Sequence, residues 1–134
     1  IIMKSLEDVN MKETYNKMPS ELSGGMKKRV GIARAIALSP EYMLYDEPTT
    51  GLDPIMTDSI NKLISKFHKK GDGTSIIVTH EMKTVKDVSK RVIMLYNGRV
   101  QFDGSTEELF CSEDPVVKAF LNGDSTYKKE KELL

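Results

Sequence analysis

The sequence predicts an α/β fold with a parallel core sheet. Two short apolar runs, 42–45 and 74–79, have the length and composition of buried strands. An amphipathic helical pattern over 55–69 separates them, and strands that alternate with helices favour parallel pairing. The third observation is the pair Asn97-Gly98 between two apolar segments, which predicts a β-hairpin with a type I′ turn.

Composition limits the function classes. The chain has 134 residues, 39% of them hydrophobic and 30% charged, as expected for one globular domain or a piece of a larger one. Its formal net charge is zero, so no chain-wide basic footprint for nucleic acid is present. No apolar run reaches the roughly 18 residues of a membrane span. Cys111 is the single cysteine, which excludes an internal disulfide framework.

The amino-terminal region is predicted to be helical. Ile2, Leu6 and Val9 are at helical spacing within residues 1–12, which indicates a short amphipathic helix. A second helix, rich in alanine and with an apolar stripe, is predicted over 26–38. Both helices come before the first predicted strand.

Further elements follow the strands. We expect a turn at 71–73, a helix within 81–91, and a helix that begins with the capping box Ser105–Glu108. A last short helix is predicted over 115–121. Residues 122–134 are polar and charged, and we expect them to form a mobile tail.

Ser23-Gly24-Gly25 directly precedes the second predicted helix. Glycines allow the backbone to approach a ligand, and the unpaired N–H groups of a helix start attract an anion. The Ser23 hydroxyl would be an additional donor. The simpler interpretation is a serine N-cap followed by a glycine turn.

Three polar side chains follow the predicted strands. Asp46 and Glu47 end the first strand, and His80 comes immediately after the second. Ligands of α/β sheets lie at the carboxyl ends of strands, so one acid could hold Mg²⁺ and the other could orient or deprotonate a water. A polar strand end and a structural histidine are the simpler alternatives.

Taken together and in order, these motifs resemble those of an ABC-type ATPase. Leu22–Met26 (LSGGM) is similar to the signature motif, and Tyr42–Glu47 (YMLYDE) to Walker B with its catalytic glutamate. Gly51–Pro54 (GLDP) resembles the D-loop, and Thr79–Glu81 (THE) the switch-histidine loop. The resemblance covers roughly residues 1–121 and implies a partial P-loop NTPase fold.

The resemblance assigns ATP hydrolysis to the strand-end residues. Asp46 would hold Mg²⁺, mostly through water. Glu47 would be the general base that activates the attacking water, and His80 would contact the γ-phosphate of ATP and sense its loss. Such a site performs phosphoryl transfer mainly by positioning and charge stabilisation.

The resemblance also implies a dimer with composite sites. Ser23, Gly24 and Gly25 would bind the γ-phosphate of the ATP held by a second ABC ATPase subunit, and Asp53 would line the dimer interface. Met26 replaces the glutamine usual in the signature motif and cannot donate the same hydrogen bonds. The implied cofactors are ATP and Mg²⁺.

The resemblance extends to a subfamily. Met26, the run Tyr45–Ile55 and the ending Asp114–Gly123 are similar to Mce/Mla-type ATPases, which power lipid or phospholipid transport across bacterial envelopes. The partners would be membrane permeases, with the subunit on the cytoplasmic face of the membrane. The alternatives are a non-transport ABC ATPase and an inactive fragment that supplies an interaction surface.

The G-x-x-x-x-G-K-[ST] phosphate loop does not occur in these 134 residues. We therefore expect the carboxyl-terminal part of a nucleotide-binding domain, with signature helices over 1–40, a core over 41–121 and the tail over 122–134. By itself this chain is expected to hydrolyse no ATP and to be marginally stable, because the strands would lack neighbours.

Overall fold

The computed structural model describes residues 1–70 and 73–124. The chain divides into two compact units, Ile1–Val88 and Ser89–Leu134. The helices and strands of the described residues are, in chain order, α1 (Ile2–Asp8), α2 (Gly24–Ile36), β1 (Tyr42–Asp46), α3 (Pro54–Lys70), β2 (Thr74–Val78), α4 (Met82–Val88), β3 (Arg91–Tyr96), β4 (Arg99–Ser105), α5 (Thr106–Phe110) and α6 (Pro115–Leu121).

The first unit contains the predicted parallel strand pair. β1 and β2 are hydrogen-bonded in register, with Tyr42 opposite Thr74 and Asp46 opposite Val78. The connection between the two strands is α3, as the alternating pattern predicts. Because the strands are parallel and end at the same level, the residues that follow them leave the sheet at one edge.

The core of the first unit lies on one face of this sheet. Val9, Ile32, Ile60 and Ile64 pack with Tyr45, and each of them is at least nine-tenths buried. They come from the end of α1 and from α2, α3 and β1, so three helical segments and one sheet face share a single apolar cluster.

Both strands are predicted to be buried, and this is wrong for the sheet face opposite the core. Leu44 is 77% exposed and Tyr42 72%, and Ile76 and Val78 on β2 are each 58% exposed. Side chains alternate between the two faces of a strand, and the helices of this unit pack on the face of Tyr45. The described residues therefore leave an apolar sheet face open.

Several helix boundaries differ from the expectation by a few residues; α2, for example, ends at Ile36 instead of residue 38. α2 begins at Gly24, two residues before the predicted start, because the Ser23 hydroxyl accepts a hydrogen bond from the Met26 amide at 3.3 Å and so caps the helix immediately. α4 (Met82–Val88) lies within its predicted range of 81–91, and it ends before Arg91 because that residue already pairs in β3.

The second unit contains the predicted antiparallel hairpin. Asn97 and Gly98 have φ of 48° and 72°, the left-handed values that a type I′ turn requires. β4 extends to Ser105, three residues beyond the segment 99–102 that the sequence predicts as a strand. The Arg91 guanidinium donates to both carboxylate oxygens of Asp103 across the strands, at 2.8 and 2.7 Å.

Both predicted helices after the hairpin are confirmed. Ser105 and Glu108 form the capping box of α5. The Asp114 carboxylate accepts hydrogen bonds from the amides of Val116 and Val117 at the start of α6. Apolar side chains of these two helices, including Leu109 and Val117, are buried.

Some expectations fall outside the described residues. Positions 71 and 72 of the predicted turn and 125–134 of the predicted tail are among them. The division at residues 40 and 121 stays a prediction. Over the described ranges, none of the helices has the length and apolar character needed to cross a membrane.

Candidate functional site

Glu47 and His80 meet at the joint carboxyl edge of β1 and β2. His80 Nδ1 lies 2.7 Å from Glu47 Oε1. The other carboxylate oxygen, Oε2, accepts hydrogen bonds from Thr50 Oγ1 at 2.8 Å and from Thr79 Oγ1 at 3.4 Å. The two side chains thus come together as the strand order leads one to expect, and both threonines help to orient the carboxylate.

This contact changes the acidity of both groups. The hydrogen bond from His80, followed by that from Thr50, lowers the pKa of Glu47 below its ordinary value. The same hydrogen bond to Glu47 raises the pKa of His80 above 6.5. At neutral pH Glu47 is therefore an ionised acceptor, and a larger fraction of His80 carries a proton than in a free histidine.

The backbone of Glu47 is held from two sides. Its φ is 45°, which is uncommon for a residue that is not glycine. Its amide donates to the Val78 carbonyl at 2.9 Å, and its carbonyl accepts a hydrogen bond from Lys28 Nζ at 2.8 Å. No local pattern in the sequence points to Lys28, because the two partners of this contact are 19 residues apart.

Asp46 is the last residue of β1 and is exposed. Across residues 1–70 and 73–124, no three or more His, Cys, Asp or Glu side chains are grouped so that they could hold a metal ion. Mg²⁺ in nucleotide sites commonly takes one or two protein carboxylates together with phosphates and water. A single carboxylate such as Asp46 is therefore compatible with Mg²⁺ that arrives with a nucleotide.

The start of α2 matches the simpler of its two interpretations, and the anion site stays a prediction. Ser23 is the N-cap, as the simpler interpretation predicts. A Cβ added to Gly24 would meet nothing within 4 Å, whereas one added to Gly25 would collide with the Met56 side chain. The collision involves the terminal methyl of Met56, the flexible end of its side chain, so packing on α3 gives only a weak reason for Gly25, and nothing in the described chain explains Gly24.

Asp53 begins α3 rather than joining the contact between Glu47 and His80. Its Oδ1 accepts hydrogen bonds from the amides of Ile55 and Met56, both at 2.9 Å. The side chain is exposed, and its local structural role is that of an N-cap.

A buried polar network connects the segments that follow Glu47 and His80. Thr49 and Thr84 are 0% exposed, and their hydroxyl oxygens are 3.0 Å apart. Asn61 on α3 is 2% exposed and accepts a hydrogen bond from Thr84 at 3.2 Å. The sequence contained one signal for this network, since Asn61 interrupts the apolar stripe of its helix.

Comparison with known proteins supports the fold. The ABC transporter family model matches residues 2–50. A solved structure, described as an inward-facing conformation of a metal-chelate type ABC transporter, superimposes with a TM-score of 0.75 at 27% identity, over 81% of this chain and 43% of that chain. The chain has a partial ABC ATPase fold. Its parallel pair, flanking helices and antiparallel hairpin are the parts of the ABC ATPase fold that are described.

Several curated ABC proteins are similar in sequence. The methionine import ATP-binding protein MetN of Carboxydothermus hydrogenoformans is 43% identical over 90% of this chain. The Mycobacterium leprae protein named Probable ribonucleotide transport ATP-binding protein mkl is 41% identical over 92% of the chain. Arabidopsis thaliana protein TRIGALACTOSYLDIACYLGLYCEROL 3, chloroplastic, is 38% identical over 92%.

The chain spans only part of these relatives, namely 36%, 35% and 40% of their respective lengths. Their names also differ in the compound they mention. The comparisons therefore support a segment of an ABC transporter ATP-binding protein and leave the transported compound open.

Proposed function

We propose that this chain supplies the signature, Walker B, D-loop and switch segments of an ABC transporter ATP-binding subunit, and that the complete subunit hydrolyses ATP. The observation that carries the proposal is the 2.7 Å contact between His80 Nδ1 and Glu47 Oε1 at the joint end of two parallel strands. This is where α/β sheets bind ligands.

Glu47 would accept a proton from the attacking water, or orient that water, while it is ionised. Its lowered pKa keeps the carboxylate charged at neutral pH, and Thr50 restricts its orientation. His80 would donate a hydrogen bond to the γ-phosphate from its protonated ring. Mg²⁺, with Asp46 as its protein ligand through water, would neutralise charge on the phosphates.

The second part of the proposal concerns the dimer. Ser23, Gly24 and Gly25 begin a 13-residue helix, whose first amides have no partner within the helix apart from the cap. Such a helix start binds phosphate groups. We assign it to the γ-phosphate of ATP bound by a second subunit, with Asp53 at the interface between the subunits.

The third part concerns the transported compound. We propose a lipid or phospholipid, moved through membrane permeases on which the subunit docks at the cytoplasmic face. The support is that Met26, the run Tyr45–Ile55 and the ending Asp114–Gly123 resemble those of Mce/Mla-type ATPases. The name of the Arabidopsis relative also includes the name of a galactolipid. The similarity to methionine import proteins favours an amino acid as the competing candidate.

The ATPase proposal is tested with the full-length gene product and its Glu47→Gln variant. We expect ATP turnover to fall by about 100-fold or more, because loss of a general base costs roughly 10²–10⁴ in rate, while ATP binding is retained. Glu41→Gln, which changes an exposed acid just before β1, is the matched control and should keep full turnover. Full turnover in Glu47→Gln, or none in the wild type, would contradict the proposal.

The transported compound requires a separate assay. The subunit is reconstituted with its copurified permease in proteoliposomes, and ATP turnover is measured with added phospholipid donor vesicles or with methionine. Stimulation by the donor vesicles alone supports the lipid proposal. Stimulation by methionine alone refutes it, and ATP turnover without any membrane partner would favour a non-transport ATPase.

A further inference from the structure

Lys28 connects the helix that begins at the signature residues with the backbone of Glu47. It lies on α2, four residues after Gly24, and its side chain is partly buried. Its Nζ donates to the Glu47 carbonyl at 2.8 Å. The contact joins two segments that the function proposed above assigns to two different composite sites.

The Glu47 backbone needs such support. A φ of 45° places a non-glycine residue in the left-handed region, and residues there persist only when their surroundings fix them. The Val78 carbonyl holds the Glu47 amide at 2.9 Å, and Lys28 holds its carbonyl. With both polar groups of the backbone occupied, the direction in which the side chain leaves the strand is defined.

The side-chain contacts of Glu47 do a different job. His80 and Thr50 bind its two carboxylate oxygens and therefore set the rotation of the carboxylate. These side-chain contacts cannot by themselves fix the point at which the backbone leaves β1. That position depends on the two backbone hydrogen bonds, of which only the one from Lys28 comes from outside the sheet.

We propose that Lys28 is a positioning residue, which fixes the backbone of the catalytic Glu47 and links it to the signature end of α2 in the same subunit. The inference rests on the proposed role of Glu47 as the general base. A helix moves as a stiff unit, so a displacement of Ser23 and Gly24 on binding a partner's nucleotide would be passed through Lys28 to the Glu47 carbonyl. Occupancy of one composite site would thereby affect the base of the other.

The test compares Lys28→Met, which keeps the length of the side chain but removes the donor, with Lys28→Arg, which retains a charged donor. Lys27→Met is the matched control, since Lys27 is an exposed neighbour on the same helix. In the full-length gene product we expect Lys28→Met to lower kcat for ATP by about 10- to 100-fold, the range for small misplacement of a catalytic group, with KM changed less than about twofold. Lys28→Arg should recover most of kcat, and Lys27→Met should match the wild type.

A second readout does not depend on turnover. The same variants are labelled with ¹⁵N-histidine, and the ring nitrogens of His80 are followed by NMR, assigned by the loss of its signals in His80→Gln. Displacement of Glu47 should shift the Nδ1 signal of His80 in Lys28→Met and leave that of His68, on α3, unchanged. Unchanged His80 signals together with unchanged kcat would overturn the inference.

The two proposals fail in distinguishable ways. If the wild-type protein hydrolyses no ATP, the proposed function is refuted, and the His80 signals still decide whether Lys28 positions Glu47. If the wild type is active and Lys28→Met raises KM with kcat unchanged, Lys28 contributes to binding and the positioning role is refuted.

Discussion

Gly24→Ala separates a structural role of the signature glycines from a phosphate-binding role. A Cβ at Gly24 would meet nothing within 4 Å, and the residue has helical backbone geometry as the first residue of α2. Folding therefore gives no reason for glycine at this position. If the reason is close approach of a phosphate, the substitution should reduce function and leave the fold intact.

We expect Gly24→Ala to raise the free energy of unfolding slightly and to lower ATP turnover. Alanine in place of glycine in a helix interior raises the free energy of unfolding by about 0.5–1 kcal/mol, and at the first helical position we expect about 0.5 kcal/mol or less. A methyl group against a bound phosphate should lower ATP turnover by about tenfold or more, equivalent to roughly 1.4 kcal/mol of transition-state stabilisation.

The assays are urea unfolding, followed by circular dichroism, and steady-state ATP turnover of the full-length gene product. Gly31→Ala is the matched control, because Gly31 lies in the interior of the same helix and a Cβ there also meets nothing within 4 Å. It should be stabilised by about 0.5–1 kcal/mol with unchanged turnover. Loss of stability by more than about 1 kcal/mol in Gly24→Ala would refute the structural argument. Unchanged turnover would refute the phosphate-binding role.

Three further predictions concern the first unit. In Glu47→Gln, the pKa of His80 should fall back toward 6.5, because the hydrogen bond that raises it is weakened. The pKa is measured by NMR titration, and a value equal to that of the wild type would show that the contact between Glu47 and His80 is not populated. The ion pair between Glu47 and His80 stabilises the folded state above the ordinary pKa of Glu47, and this stabilisation is lost as pH rises through the raised pKa of His80. Thr84→Val should lower the free energy of unfolding by about 1–3 kcal/mol, since it leaves buried partners unsatisfied, and adding Asn61→Leu should recover part of the loss. An additive double variant in urea unfolding would contradict that coupling. Asp53→Ala should lower the free energy of unfolding by about 0.5–2 kcal/mol, because it removes the N-cap of α3. Asp53→Asn should lower it by only about a few tenths of a kcal/mol, and equal losses in the two variants would exclude capping as the cause.

Local chemistry explains which elements could be predicted from the sequence. Asn97-Gly98 adopts the two left-handed conformations that its residue types favour, and Ser105 caps α5 with its own side chain. Such features depend on residues within four positions of one another. The parallel pair followed from element order, because a helix must cross between parallel strands.

Burial and the finer site geometry depend on long-range packing and could not be predicted. Every residue from Tyr42 to Tyr45 is apolar, so the sequence does not reveal that Leu44 is exposed while Tyr45 is buried. Strand ends predicted the proximity of Glu47 and His80. The left-handed turn at Glu47 and its support by Lys28 arise from tertiary contacts that no local pattern encodes.

The register of the sheet connects the apolar core to the candidate site. Tyr45 is buried in the core and Ile77, its partner in the register, packs against the same cluster. A slip of one residue would turn Ile77 to the open face and shift His80 by about 3.3 Å along the strand direction. A displacement of that size exceeds the whole 2.7 Å separation of His80 Nδ1 and Glu47 Oε1, so the hydrogen bond could not survive it. The packing that selects the register therefore also determines whether Glu47 and His80 meet, and core substitutions that loosen the packing of Ile77 should weaken the contact between them.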